Sequence, residues 1–140
     1  MIRQEFELNR WDWKVRVFYE ADANDADELY DILQEVGCRG RNLQKAQYAL
    51  WRGEPNFGIT YSNYKTRESI MIIGKTTSAD EFQNSYDHEK GHLCKQIAQK
   101  LYINPWGEET EYLAGAIGQK TFPIAKHFLC EHCRKSRLVS

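Results

Sequence analysis

Residues Tyr86 to Ala98 read YDHEKGHLCKQIA, and His88, Glu89 and His92 within them spell H-E-x-x-H. On a helix, residues four apart lie one above the other, so both imidazoles can reach a single metal ion. Glu89 points obliquely past that ion and can take a proton from a metal-bound water. Zinc would lower the pKa of this water towards about 7. The surroundings predict such a helix. Phe82, Tyr86, Leu93, Ile97 and Leu101 recur at helical spacing, with Glu89 inside their stripe and His88 and His92 along its edge. A carboxylate on a buried stripe is costly unless it is paired or near a metal. Gly91, an unfavourable residue in mid-helix, suggests room for another backbone or a substrate. Solvated histidines on an exposed helix edge are the plain alternative, but they leave Glu89 unexplained.

Working outward, Ser78 and Glu81 have the spacing of a capping box, which starts this helix; the Pro105 and Gly107 region ends it near Tyr102. Upstream, GITYSN (58–63) and SIMIIG (69–74) read as an antiparallel strand pair, the mixed first segment at an edge and the apolar second one central. FEL and WKVRVFYEA alternate polar and apolar residues and read as a hairpin turned by NRWD. Trp13, Val15, Val17 and Tyr19 share one face of it. Between these strand regions, NDADELYDILQEVG reads as a helix capped by Asn24 or Asp25 and stopped at Gly37, followed by a shorter helix over about 42–51. A last helix starts near Glu108, with Pro123 as a possible interruption before HFLCEHC.

The expected architecture is one α+β domain over 1–140: strands and helices in 1–55, then a strand pair and the active-site helices in 56–132. A small antiparallel or mixed sheet packs on the H-E-x-x-H helix and the helix after it.

A catalytic zinc usually has three protein ligands. Position 98, where one longer motif has a third histidine, is alanine, and His127 is far along the chain. Glu108, Glu109 and Glu111 come sooner, in the first turn of the last helix. Leu113 and Ile117 mark that helix's inward face and favour Glu109, with Glu108 close behind and Glu111 more exposed. The plain alternative is that the three acids complement the helix dipole. Ala114, Gly115 and Gly118 would allow close packing around the site.

The composition is that of a globular chain, 41% hydrophobic and 28% charged over 140 residues, with net charge -1. That balance argues against a nucleic-acid partner, and Arg134-Lys135-Ser136-Arg137 is too short a basic tail to restore one. No apolar run approaches the roughly 20 residues of a membrane span, and the N-terminus lacks a signal peptide's apolar core, so the expected location is cytoplasmic. Cys38, Cys94, Cys130 and Cys133 are expected as reduced thiols. The C-x-x-C at Cys130 is read as ordinary helix-borne thiols, although the spacing also occurs in zinc sites and redox pairs. Trp11, Trp13, Trp51 and Trp106 are expected in the core or strand pairs.

SYDHEKGHL followed closely by EETEYLAGAIG, with two short strands upstream, resembles the gluzincin branch of zincin metallopeptidases. More narrowly, it is similar to small H-E-x-x-H proteins of prophages and mobile elements in Bacteroides-like bacteria. The resemblance covers roughly 57–120. It implies zinc held by His88, His92 and Glu109, Glu89 as general base, and a peptide or protein substrate lying along an edge strand, for which GITYSN is the candidate. It also implies an acidic or amide residue four positions after the ligand glutamate. Here Leu113 follows Glu109 and Tyr112 follows Glu108 at that spacing. The expected function is therefore a zinc-dependent metallopeptidase, with a non-catalytic zincin-like assembly module as the alternative.

Overall fold

The computed structural model describes residues 1–139, with side chains as far as Lys135. Four strands form one mixed sheet: β1 (Ile2–Leu8), β2 (Trp13–Ala21), β3 (Gly58–Asn63) and β4 (Glu68–Gly74), in the order β1-β2-β4-β3. β1 pairs antiparallel with β2, β2 parallel with β4, and β3 antiparallel with β4. Both expected hairpins are present, and GITYSN is an edge strand. The parallel pairing of β2 with β4, which joins the hairpins into one sheet, lies beyond local sequence periodicity.

Five α-helices lie among the described residues: α1 (Ala26–Glu35), α2 (Gly40–Arg52), α3 (Ala79–Leu101), α4 (Glu108–Ala125) and α5 (Glu131–Val139). Alternation along the strands sorts the core into two layers. Trp13, Val15, Val17, Tyr19, Met71 and Ile73 pack with Phe82, Leu93 and Ile97 of α3 and with Leu113 and Ile117 of α4. Phe18, Ile70 and Ile72 face the other way, onto Leu29, Leu33, Leu43 and Leu50 of α1 and α2. β4 therefore supplies both layers, which is why its sequence is almost wholly apolar. No helix among the described residues is long and apolar enough to cross a membrane.

Local chemistry sets the ends of the elements. Gly37 adopts φ +98°, and Cys38 N–H reaches back to the Leu33 carbonyl at 2.9 Å, closing α1 where a glycine stop is expected. Asp25 stands at the N-cap position of α1, one of the two expected caps, but its side chain makes no capping bond to α1. The capping bonds belong to the short 3-10 turn just before it, where Asp22 accepts from Asn24 N–H and Asp25 accepts from Asp22 N–H. At α3, Ser78 Oγ accepts from Glu81 N–H at 3.3 Å. The reciprocal half of the box is absent, because the Glu81 carboxylate accepts from Thr77 N–H at 3.0 Å instead. α4 continues through Pro123 to Ala125 before the chain turns into α5.

Trp11 and Trp13 are core residues as expected, but Trp51 and Trp106 are 59% and 93% exposed. The basic tail is also interrupted: Arg134 is buried, its guanidinium donating to Thr76 O at 2.6 Å.

Candidate functional site

α3 is 23 residues long, and its two flanks meet different neighbours. Tyr86, Lys90 and Cys94, four apart, form the flank towards α4. Tyr86 OH bonds Thr121 Oγ1, and Lys90 Nζ stands 3.5 Å from where a Cβ on Gly118 would be. His88, His92 and Gln96, also four apart, lie two residues further along, which is roughly 200° round the helix. This second flank meets β3.

The two imidazoles converge. Nε2 of His92 is 3.1 Å from Nε2 of His88, and the rings stand edge-to-face at 83°. On a tetrahedral zinc, two nitrogens bound at about 2.0–2.1 Å are roughly 3.3 Å apart, so the observed pair needs little adjustment to share one ion. Both rings are exposed, whereas Glu89 is only 5% exposed.

Glu89 is held by β3. Its Oε1 accepts from Thr60 Oγ1 at 2.7 Å, and a Cβ on Gly58 would fall 2.2 Å from Oε2. Gly58 thus makes the notch that the carboxylate fills. Gln96 fastens the next turn of α3 to the same strand. Its Nε2 donates to Thr60 O at 3.1 Å and its Oε1 accepts from Ser62 Oγ at 2.5 Å. Ser62 in turn meets the buried Ser69, which accepts from Trp13 Nε1 at 2.8 Å. This chain of polar contacts ties the groove wall to the middle of the sheet.

A groove of about 680 Å³ runs around the free edge of β3. Its walls are His88, Glu89, His92 and Gln96 of α3 on one side and Asn42, Lys45, Ala46 and Ala49 of α2 on the other, with Gly58 to Ser62 between them. The groove thus brings three of the four expected site residues beside the expected edge strand.

The fourth is elsewhere. Glu109 Oε1 accepts from Trp11 Nε1 at 3.0 Å and Oε2 pairs with Arg10 at 2.5 Å, so this carboxylate fastens α4 to the turn between β1 and β2. The reason is helical phase: α4 packs against the Tyr86–Cys94 flank, and the histidines face the opposite way. Glu108 and Glu111 are exposed on the same α4, and His127 is exposed beyond its end. Among the described residues, no group of three or more His, Cys, Asp and Glu side chains is placed to hold a metal.

A Cβ on Gly91 or Gly115 would meet nothing within 4 Å, so no other part of the described chain packs closely against either. Gly58, Thr60 and Gln96, the residues that position the Glu89 face, were not picked out from the sequence. Their only signal was a glycine and a threonine in the strand already assigned to the edge. No family model, curated protein or solved structure matches the chain, so the functional reading rests on these residues themselves.

Proposed function

We propose that the groove beside β3 is a zinc-dependent peptide-hydrolysing site, with His88 and His92 as metal ligands and Glu89 as general base. The observation that carries this reading is the convergence of the two Nε2 atoms at 3.1 Å beside a buried carboxylate and a free strand edge. The donor set fits zinc through two imidazoles; further positions would fall to water and substrate, since Glu109 is engaged by Arg10 and Trp11. Bound zinc would supply a water that is acidic near neutral pH and would polarise the scissile carbonyl.

The chain's own residues do the rest. Glu89 takes the proton from the attacking water and passes it to the leaving amine. The Thr60 hydroxyl and the Gly58 notch fix the carboxylate for that exchange. Beyond the Thr60 carbonyl, which already accepts from Gln96, the outer edge of β3 offers backbone groups to an extended peptide, which would lie across the imidazoles as an added strand.

The test is metal content and peptidase activity of the purified protein. Stoichiometric zinc that is lost in His88→Ala, together with hydrolysis that falls by about 10²–10⁴-fold in Glu89→Gln while zinc is retained, supports the reading. Absence of zinc from both wild type and His88→Ala would sink it.

One observation favours a second reading, a non-catalytic zincin-like interaction module: the Glu109 carboxylate is committed to Arg10 and Trp11 instead of the imidazoles. Extended peptides would then bind the β3 edge and be recovered uncleaved.

A further inference from the structure

The groove makes no use of the C-x-x-C sequence at the start of α5. Cys130 is exposed and stands immediately before the helix; Cys133 is half-buried within its first turn; both are free thiols. Their neighbours anchor this turn. Glu131 accepts from Ala79 N–H at the head of α3, and Arg134 donates to Thr76 O and Oγ1 in the segment between β4 and α3. The residues on either side of Cys133 along the turn are therefore attached to the body of the protein, and the thiols are presented from a fixed helix end.

The placement makes the two sulfurs unequal. The residue before a helix is where a capping side chain accepts from the N–H three residues on, and Cys130 sulfur takes that role towards Cys133 N–H. It also receives the Cys133 thiol and the His132 N–H, which together outweigh the neighbouring Glu131 carboxylate. These contacts favour the anion, so the Cys130 thiol is held below its ordinary pKa. The Cys133 thiol is pushed up, chiefly because it donates to Cys130. Cys38 and Cys94 contrast with both: they are buried, and burial raises their thiols.

We propose that Cys130 and Cys133 form a nucleophile-and-resolver pair for thiol–disulfide exchange with small disulfides of the glutathione class, an activity separate from the groove. Cys130 thiolate attacks one sulfur of the disulfide; the new S–S bond forms as the old one breaks, and the released thiolate takes a proton from solvent. Cys133 then loses its proton and attacks Cys130 sulfur, expelling the second thiolate, which is protonated in turn. Two electrons pass from the pair to the small disulfide, yielding two free thiols and a Cys130–Cys133 disulfide.

The experiment treats the reduced full chain with glutathione disulfide at neutral pH and follows it by intact-mass and peptide-mapping mass spectrometry. Wild type should close the Cys130–Cys133 disulfide. Cys133→Ser should stop at a single glutathionyl adduct on Cys130, and Cys130→Ser should react about tenfold more slowly. His88→Ala should exchange like wild type, which separates this activity from the proposed metal site. Equal rates for the two serine variants, first attachment at Cys133, or a wild type that carries adducts without closing the disulfide would each overturn the proposal.

Discussion

The two flanks of α3 are built from the same helix and have opposite characters. Towards α4, Tyr86, Leu93, Cys94 and Thr121 are buried, and the contact is closed. Towards β3, the exposed His88 and His92 flank a buried, hydrogen-bonded Glu89 and open onto a groove. Chemistry on a core helix can sit on the flank that its neighbours leave open. The apolar flank supplies the stability that lets the polar one hold a carboxylate out of water. That carboxylate is accommodated only because the facing strand has a glycine and a threonine in register.

Substitutions on each flank test this contrast. The largest effect is expected on the closed side: Leu93→Ala, at a site with no exposed surface, should cost about 2–5 kcal/mol of unfolding free energy in urea titration. On the open side, Gly58→Ala should destabilise by about 1–3 kcal/mol, because the new methyl meets the Glu89 carboxylate. Pairing it with Glu89→Ala should remove most of that clash, so a strictly additive double-mutant cycle would count against the notch. Thr60→Val deletes one hydrogen bond to the carboxylate and should cost about 1–3 kcal/mol. If the groove hydrolyses peptides, the same variant should also lower the turnover rate while leaving zinc content unchanged. Glu109→Gln should have the smallest effect. It keeps an oxygen to accept from Trp11 Nε1 and removes only the half-exposed charge pair with Arg10, so a loss of about 1 kcal/mol or less is expected, with no change in zinc content. Zinc loss in that variant would return Glu109 to the metal site and break the separation of the two flanks.

Much of the fold was legible because local patterns agreed with one another. Period-two alternation marked the hairpin of β1 and β2, the apolar run of β4 marked a central strand, and Gly37 marked the end of α1. The buried Glu89 between exposed histidines followed from helical phase alone. Phase within a helix does not say which neighbour each flank will meet, however. Leu113 and Ile117 do face inward, as their spacing predicted, and Glu109 shares their helix. What they face is the Tyr86 side of α3.

Local sequence pattern set most of the elements, the edge position of β3, and the shared helical face of His88 and His92 with Glu89 just inside it. These depend on periodicities of a few residues, which the backbone geometry of helices and strands imposes locally. Packing across the whole molecule set the parallel run of β2 and β4, the cradle of Gly58 and Thr60 around Glu89, and the binding of Glu109 to Arg10 and Trp11. Those outcomes join residues up to 99 positions apart, and they follow from which surfaces pack most completely when all the elements must share one core.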